Sequence, residues 1–241
     1  MSDIFQVLIK GRPVDVYEHK SQLFIEGRKG SEYTIRIKNP LYKRVKAVIS
    51  VDGISVLDGK LASKDSLGYI INSRGTIDVD GWRVSNSAVR AFQFADVDQS
   101  YSSKSGNGDA NVGVLAVRLY EEELPAMKPR TPMFYGYDNI WGAGTADASK
   151  GIMQPTYSTC RSAMGAIGFN STADTGVGTG QGQQLTSEVK TVQFKSHSYH
   201  SAQQVVYYDT IKGLEQRGVV ITRKNHVPNP FPGDTGFCKS F

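Results

Sequence analysis

Apolar and polar positions alternate with a period of two through most of the first half of the chain. Tyr33, Ile35 and Ile37 fall on one side of a strand, and Thr34, Arg36 and Lys38 on the other. That period predicts a β-strand with one buried face. Val45–Val51 reads as a second strand, rich in β-branched residues, and Asp52-Gly53 follows it directly. Asp-Gly supplies the positive φ angles of a tight hairpin turn, so Ile54–Leu57 is expected to return alongside. Further strands are predicted over 69–72, 76–80 and 88–94. The nearly continuous apolar run over 112–120 suits a central strand. Short strands separated by frequent turns point to an antiparallel β-sandwich of jelly-roll or immunoglobulin-like type.

The pattern changes after Glu121-Glu122-Glu123. Pro125, Pro129 and Pro132 lack the N–H that a ladder needs and hold the chain extended, so 124–132 reads as a linker. Three regions result: a sandwich over 1–123, the proline-rich linker over 124–132, and a glycine-rich, β-containing second region over 133–241. The stretch 133–184 shows neither helical nor strand period, and it includes the row Gly176, Gly178, Gly180 and Gly182. Its aromatic group Phe134, Tyr135, Tyr137 and Trp141 suggests an anchor, and so does Phe231 in the extended C-terminal tail; these five are the candidate interface residues. Strands are expected again over 189–194, 204–208 and 219–221. Asp209 is placed to cap one short helix over 210–217, with Gly218 as its stop.

Composition narrows the picture only slightly. The 241 residues carry a formal charge of +5, with 17 basic and 16 acidic residues up to Glu123 and 11 and 7 beyond it. This scattered excess is unlike the concentrated basic face of a nucleic-acid binder, and no specific nucleic-acid binding is expected. Two cysteines, Cys160 and Cys238, do not make a disulfide framework. Reduced thiols are the default reading. The N-terminus lacks a basic segment followed by an apolar run, and no stretch approaches the roughly 18 apolar residues of a membrane helix. No membrane association is expected.

No catalytic or cofactor-binding constellation emerges. The glycine row over 176–182 misses the dinucleotide spacing and has no phosphate-loop lysine, so it reads as a flexible or tightly packed loop. Asp78-Val79-Asp80-Gly81 opens like a calcium loop, but position 89 is Val where a bidentate Glu would lie. It reads as a strand running into a turn before Trp82. His197 and His200 fall on opposite faces of a strand, and a zinc site with His226 or Cys160 would need long-range assembly. Asp58, Asp65 and Glu121–Glu123 are the carboxylates available for glycoside chemistry, although the glutamates fit a solvated strand end better. Trp82, Tyr101, Tyr135, Tyr137 and Trp141 are candidates for a sugar platform or, equally, for core and protein contacts.

Several segments together carry a family resemblance. They are Val51–Lys60, Gly68-Tyr69-Ile70, Gly81-Trp82-Arg83, Ala91–Phe94, Val112-Gly113-Val114 up to Glu121, Gly178-Thr179-Gly180, Val192-Gln193-Phe194 and Tyr207-Tyr208-Asp209. In these the chain resembles a family of β-rich proteins met in tailed-bacteriophage and bacterial genomes. The shared motifs are turns and strand cores, so no active residue comes with them. The resemblance implies a structural virion protein, such as a capsid decoration or cement protein, assembled in the host cytoplasm. Its implied partners are the major capsid protein or other virion subunits, and it is expected to form a homo-oligomer. A carbohydrate-binding sandwich for host or glycan attachment is the alternative.

Overall fold

The computed structural model describes residues 4–123 and 176–221. Fourteen strands within these residues build two seven-stranded sheets. The first sheet contains β1 (Phe5–Ile9), β2 (Arg12–Pro13), β5 (Glu32–Lys38), β9 (Thr76–Val79), β10 (Gly81–Arg83), β11 (Ala88–Ala95) and β13 (Gly178–Thr186). The second contains β3 (Val16–His19), β4 (Gln22–Glu26), β6 (Val45–Val51), β7 (Ile54–Ser55), β8 (Tyr69–Ile71), β12 (Val114–Glu121) and β14 (Ala202–Asp209). A 3-10 turn (Val97–Gln99) and short helices α1 (Tyr101–Lys104) and α2 (Ile211–Gln216) complete the elements. The β-sandwich class read from the sequence is the class observed.

The predicted alternation places the core. Tyr33, Ile35 and Ile37 of β5 are buried, while Arg36 points outward into an ion pair with Asp78. Val45, Ala47, Ile49 and Val51 of β6 lie beside Leu115, Val117 and Leu119 of the neighbouring β12 in one hydrophobic core fed by both sheets. Aromatic rings fill its centre: Tyr33 stacks on Phe94 at 4.4 Å between ring centroids, and Phe94 lies 5.2 Å from Tyr208. Such contacts add to simple area burial and fix ring orientation. The second sheet is not wholly antiparallel, because β14 runs parallel to β4 with Val206 opposite Leu23.

The strands beyond residue 175 do not make a sheet of their own. β13 pairs with β11 along its length, and β14 lies between β12 and β4. The second region expected over 133–241 therefore contributes its described strands to the sandwich. Gly178, Gly180 and Gly182 of the glycine row lie in strand β13 rather than in a loop. Alternating glycines erase the side-chain period on which a strand prediction depends, yet they let neighbours approach. A Cβ at Gly178 would lie 2.7 Å from the Ser100 Cβ and 2.9 Å from a Val112 methyl.

Two predicted strands are not strands in the structure. Residues 189–194 form no strand, and Val192 is largely exposed. Val219 instead closes a small second core with Phe24 and Leu214, which seats α2 on the outside of β4 and β14. The helix cap also shifts by one residue. Thr210 is the cap, its Oγ1 accepting from the Gly213 N–H at 3.1 Å, and Gly218 takes φ +80° at the helix end. The linker over 124–132 lies outside the described residues.

Candidate functional site

The most concentrated buried chemistry lies where the Asp52-Gly53 turn meets β13. The turn has the predicted left-handed geometry, φ 53° at Asp52 and 78° at Gly53. A side chain at residue 53 would strike Asn111, since a Cβ there would lie 2.9 Å from the Asn111 Cβ. This backbone turns the Asp52 carboxylate inward, where the residue is 1% exposed. Oδ1 accepts from the Gly113 N–H at 3.0 Å and from the Tyr208 hydroxyl at 2.6 Å, and Oδ2 accepts from the Thr179 N–H at 2.9 Å. Thr179 Oγ1 lies 2.7 Å from the Tyr208 hydroxyl and 2.9 Å from that of Tyr33.

Proton counting orders this chain of contacts. An ionised carboxylate only accepts, so Tyr208 spends its single proton on Asp52. Tyr208 then accepts from Thr179, and Thr179 accepts from Tyr33. The junction binds β5 and β13 of one sheet to β14 and the β6–β7 turn of the other. Burial pushes the Asp52 carboxyl up to about 6, against the opposing pull of the Tyr208 hydroxyl and of backbone N–H donors led by Thr179. Both tyrosine hydroxyls are driven well above their usual value, chiefly by burial. Asp52, Thr179, Tyr208 and Tyr33 are 0–3% exposed, and a fully hydrogen-bonded network of this kind specifies one packing of the core.

A second polar joint holds the chain entering β13. The buried Asp209 carboxylate accepts from the Gly176 and Thr210 N–H groups at 3.0 and 2.7 Å and pairs with Arg217 at 3.3 Å. A Cβ at Gly213 would lie 2.4 Å from that carboxylate, so only glycine fits there.

The surface gives β13 a different character further along. Its residues from Gln181 to Thr186 are exposed or half-buried. Among the described residues β11 is the sole strand paired with β13, which makes it an edge. The sequence Gly178–Thr186 contains no charge and no proline. Natural edges are usually blunted by such residues, because an open row of N–H and C=O groups templates pairing with another chain. A register shift lies against Arg90–Phe92 of β11, where Glu32 holds Gln183 by its backbone N–H and its side-chain amide, both at 3.0 Å. Later in the chain, Val192 and Tyr199 are exposed.

Of the residues singled out by sequence, Phe134, Tyr135, Tyr137, Trp141 and Phe231 lie outside the described residues, as do His226, Cys160 and Cys238. Trp82 is buried, donates its indole N–H to the Gly180 carbonyl at 3.1 Å, and stacks on Tyr101 at 4.4 Å. It belongs to the core rather than to a sugar platform. Asp78 and Asp80 are engaged by Arg36 and Thr34. Glu121, Glu122 and Glu123 each meet a cation, namely Lys43, Arg44 and Lys195. His197 stacks on Tyr199, and His200 lies edge-on to Tyr120. Among the described residues no three or more His, Cys, Asp or Glu side chains cluster closely enough to hold a metal ion, and no helix is long and apolar enough to cross a membrane.

Sequence reading took Asp52 for a turn former alone and assigned Thr179 no role. The available signal was an aspartate set between buried-type Val51 and Ile54, where a carboxylate must find donors. No family model, curated protein or solved structure matches the chain.

Proposed function

We propose that this chain is a structural subunit acting through contacts with other protein subunits, in the manner of a capsid decoration or cement protein of a tailed bacteriophage. The observation that carries the reading is β13: an uncharged nine-residue strand, open on one side along its second half and held rigidly at its first by the buried junction. A fixed edge of this kind accepts a strand from a neighbour through main-chain hydrogen bonds. The exposed Val192 and Tyr199 offer further apolar surface for protein contacts. The resemblance of the turn and strand-core segments to tailed-phage proteins directs the reading toward a virion, and the major capsid protein is the partner it implies. Peptide mass spectrometry of particles purified from cells encoding the chain tests it. Recovery in fixed stoichiometry with the major capsid protein is expected; intact particles that lack the chain would overturn the proposal.

A further inference from the structure

A cleft of about 570 Å³ opens on the outer surface of β11 and β13, walled by the segment carrying α1 on one side and by the β4–β5 turn on the other. The volume lies within the range of small-molecule sites. Its lining includes both cations and primary amides. Arg90 and Lys104 are exposed cations with no ion pair or hydrogen bond to another described residue, whereas Lys29 at the same cleft is neutralised by Asp96. Three glutamines stand with them: Gln181 makes no side-chain hydrogen bond to another described residue, Gln93 donates its amide to the Gly30 carbonyl, and Gln99 donates to Asp98. Among the described residues, no ion pair or hydrogen bond uses the side chains of Arg90, Lys104 or Gln181. The register shift in the β11–β13 ladder falls beside them, at Arg90, and irregularities of this kind re-aim side chains at working surfaces.

We infer that this cleft binds a carboxylated oligosaccharide. The chemistry follows from the mixture. Primary amides donate and accept through one planar group, which suits vicinal hydroxyls. A guanidinium fork matches a planar carboxylate in bidentate fashion, and a lysine adds a point charge. A bare polyphosphate would favour a denser set of cations or a nest of backbone N–H groups, whereas here two free cations share the lining with three neutral amides. The cleft shares Gln181 with the open half of β13 but takes its cations from β11 and α1, so Arg90 and Lys104 variants test it separately from the edge.

Titration of the full chain with trigalacturonate, maltotriose and tripolyphosphate tests the inference, read by calorimetry and by amide shifts in the NMR spectrum. Trigalacturonate is expected to bind and to move the Gly180 and Gln181 amides. Maltotriose and tripolyphosphate should each bind at least about tenfold more weakly, a difference of about 1.4 kcal/mol. The double substitution Arg90→Gln and Lys104→Gln should weaken trigalacturonate by about tenfold or more with an unchanged melting temperature. Gln181→Ala should weaken trigalacturonate and leave tripolyphosphate unaffected. The inference is overturned if trigalacturonate leaves the cleft amides unmoved, if the double variant binds it as tightly as the native chain, or if tripolyphosphate is the tighter ligand.

Discussion

The two halves of β13 both contain glycine and threonine and neither carries a charge, yet they occupy opposite environments. At Gly178, Thr179 and Gly180 the strand is buried, packed under the 97–104 segment and bonded through Thr179 to Asp52 and two tyrosines. From Gln181 onward it is a surface edge with β11 on one side. Composition alone therefore does not decide what a glycine-rich stretch does. The neighbours decide: glycine is required where Ser100, Val112 and Gln99 press against the strand, and uncharged residues are tolerated where another chain can dock. The buried half supplies position and the open half supplies contact, so the two should respond differently to substitution.

The sharpest break is expected at the carboxylate. Asp52→Ala would strand the Gly113 and Thr179 N–H groups and the Tyr208 hydroxyl in a dry core, at a cost of about 4 kcal/mol. Urea unfolding measures it as a fall in midpoint at constant slope. A pH series separates charge from geometry. The Asp52 carboxyl titrates near 6 in the fold against an ordinary value of 3.8, so the native state binds this proton more tightly than the unfolded chain does. Its contribution is complete below about pH 4 and declines as pH rises to about 6, by about 3 kcal/mol. The Asp78 and Glu121 carboxyls are held below their usual range by Arg36 and by Lys43 and run the opposite way; both are surface groups whose effect is small. The difference between native and Asp52→Asn stability curves isolates the buried group, and curves that stay parallel from pH 4 to 6 would contradict this assignment.

Smaller effects refine the boundary between the halves. Gly178→Ala would push a methyl group to 2.7 Å from the Ser100 Cβ and 2.9 Å from Val112, costing about 2 kcal/mol through overpacking. Thermal melting reads this directly. Gln184→Lys lies on the exposed half and should change stability by less than about 0.5 kcal/mol, while its charge blocks pairing along the edge. A melting shift for Gln184→Lys as large as that for Gly178→Ala would erase the distinction drawn between the two halves.

Much of the sandwich was legible in the chain because its signals are local. The alternation at Tyr33, Ile35 and Ile37, the Asp52-Gly53 turn and the apolar run into β12 each state their own structure. The misses have physical causes. β13 hides because glycine carries no side chain to reveal a period. The apolar run Val219–Ile221 reads as a strand, yet Val219 is apolar in order to pack under α2 against Phe24. Asp209 looks like a helix cap, and Thr210 takes that role while Asp209 secures the chain at Gly176. The junction itself joins Tyr33, Asp52, Thr179 and Tyr208, residues far apart in sequence. No spacing rule could have gathered them, whereas the topology that inserts β13 and β14 into the two sheets does.

The central claim is that the open half of β13 makes contacts for which the buried half only prepares it. Particles recovered from cells supplied with equal amounts of native chain and Gln184→Lys variant put this to the test, the ratio of incorporated chains being read by mass spectrometry. The account predicts strong enrichment of the native chain in particles, with indistinguishable melting temperatures for the two purified proteins. Equal incorporation of both chains would contradict it.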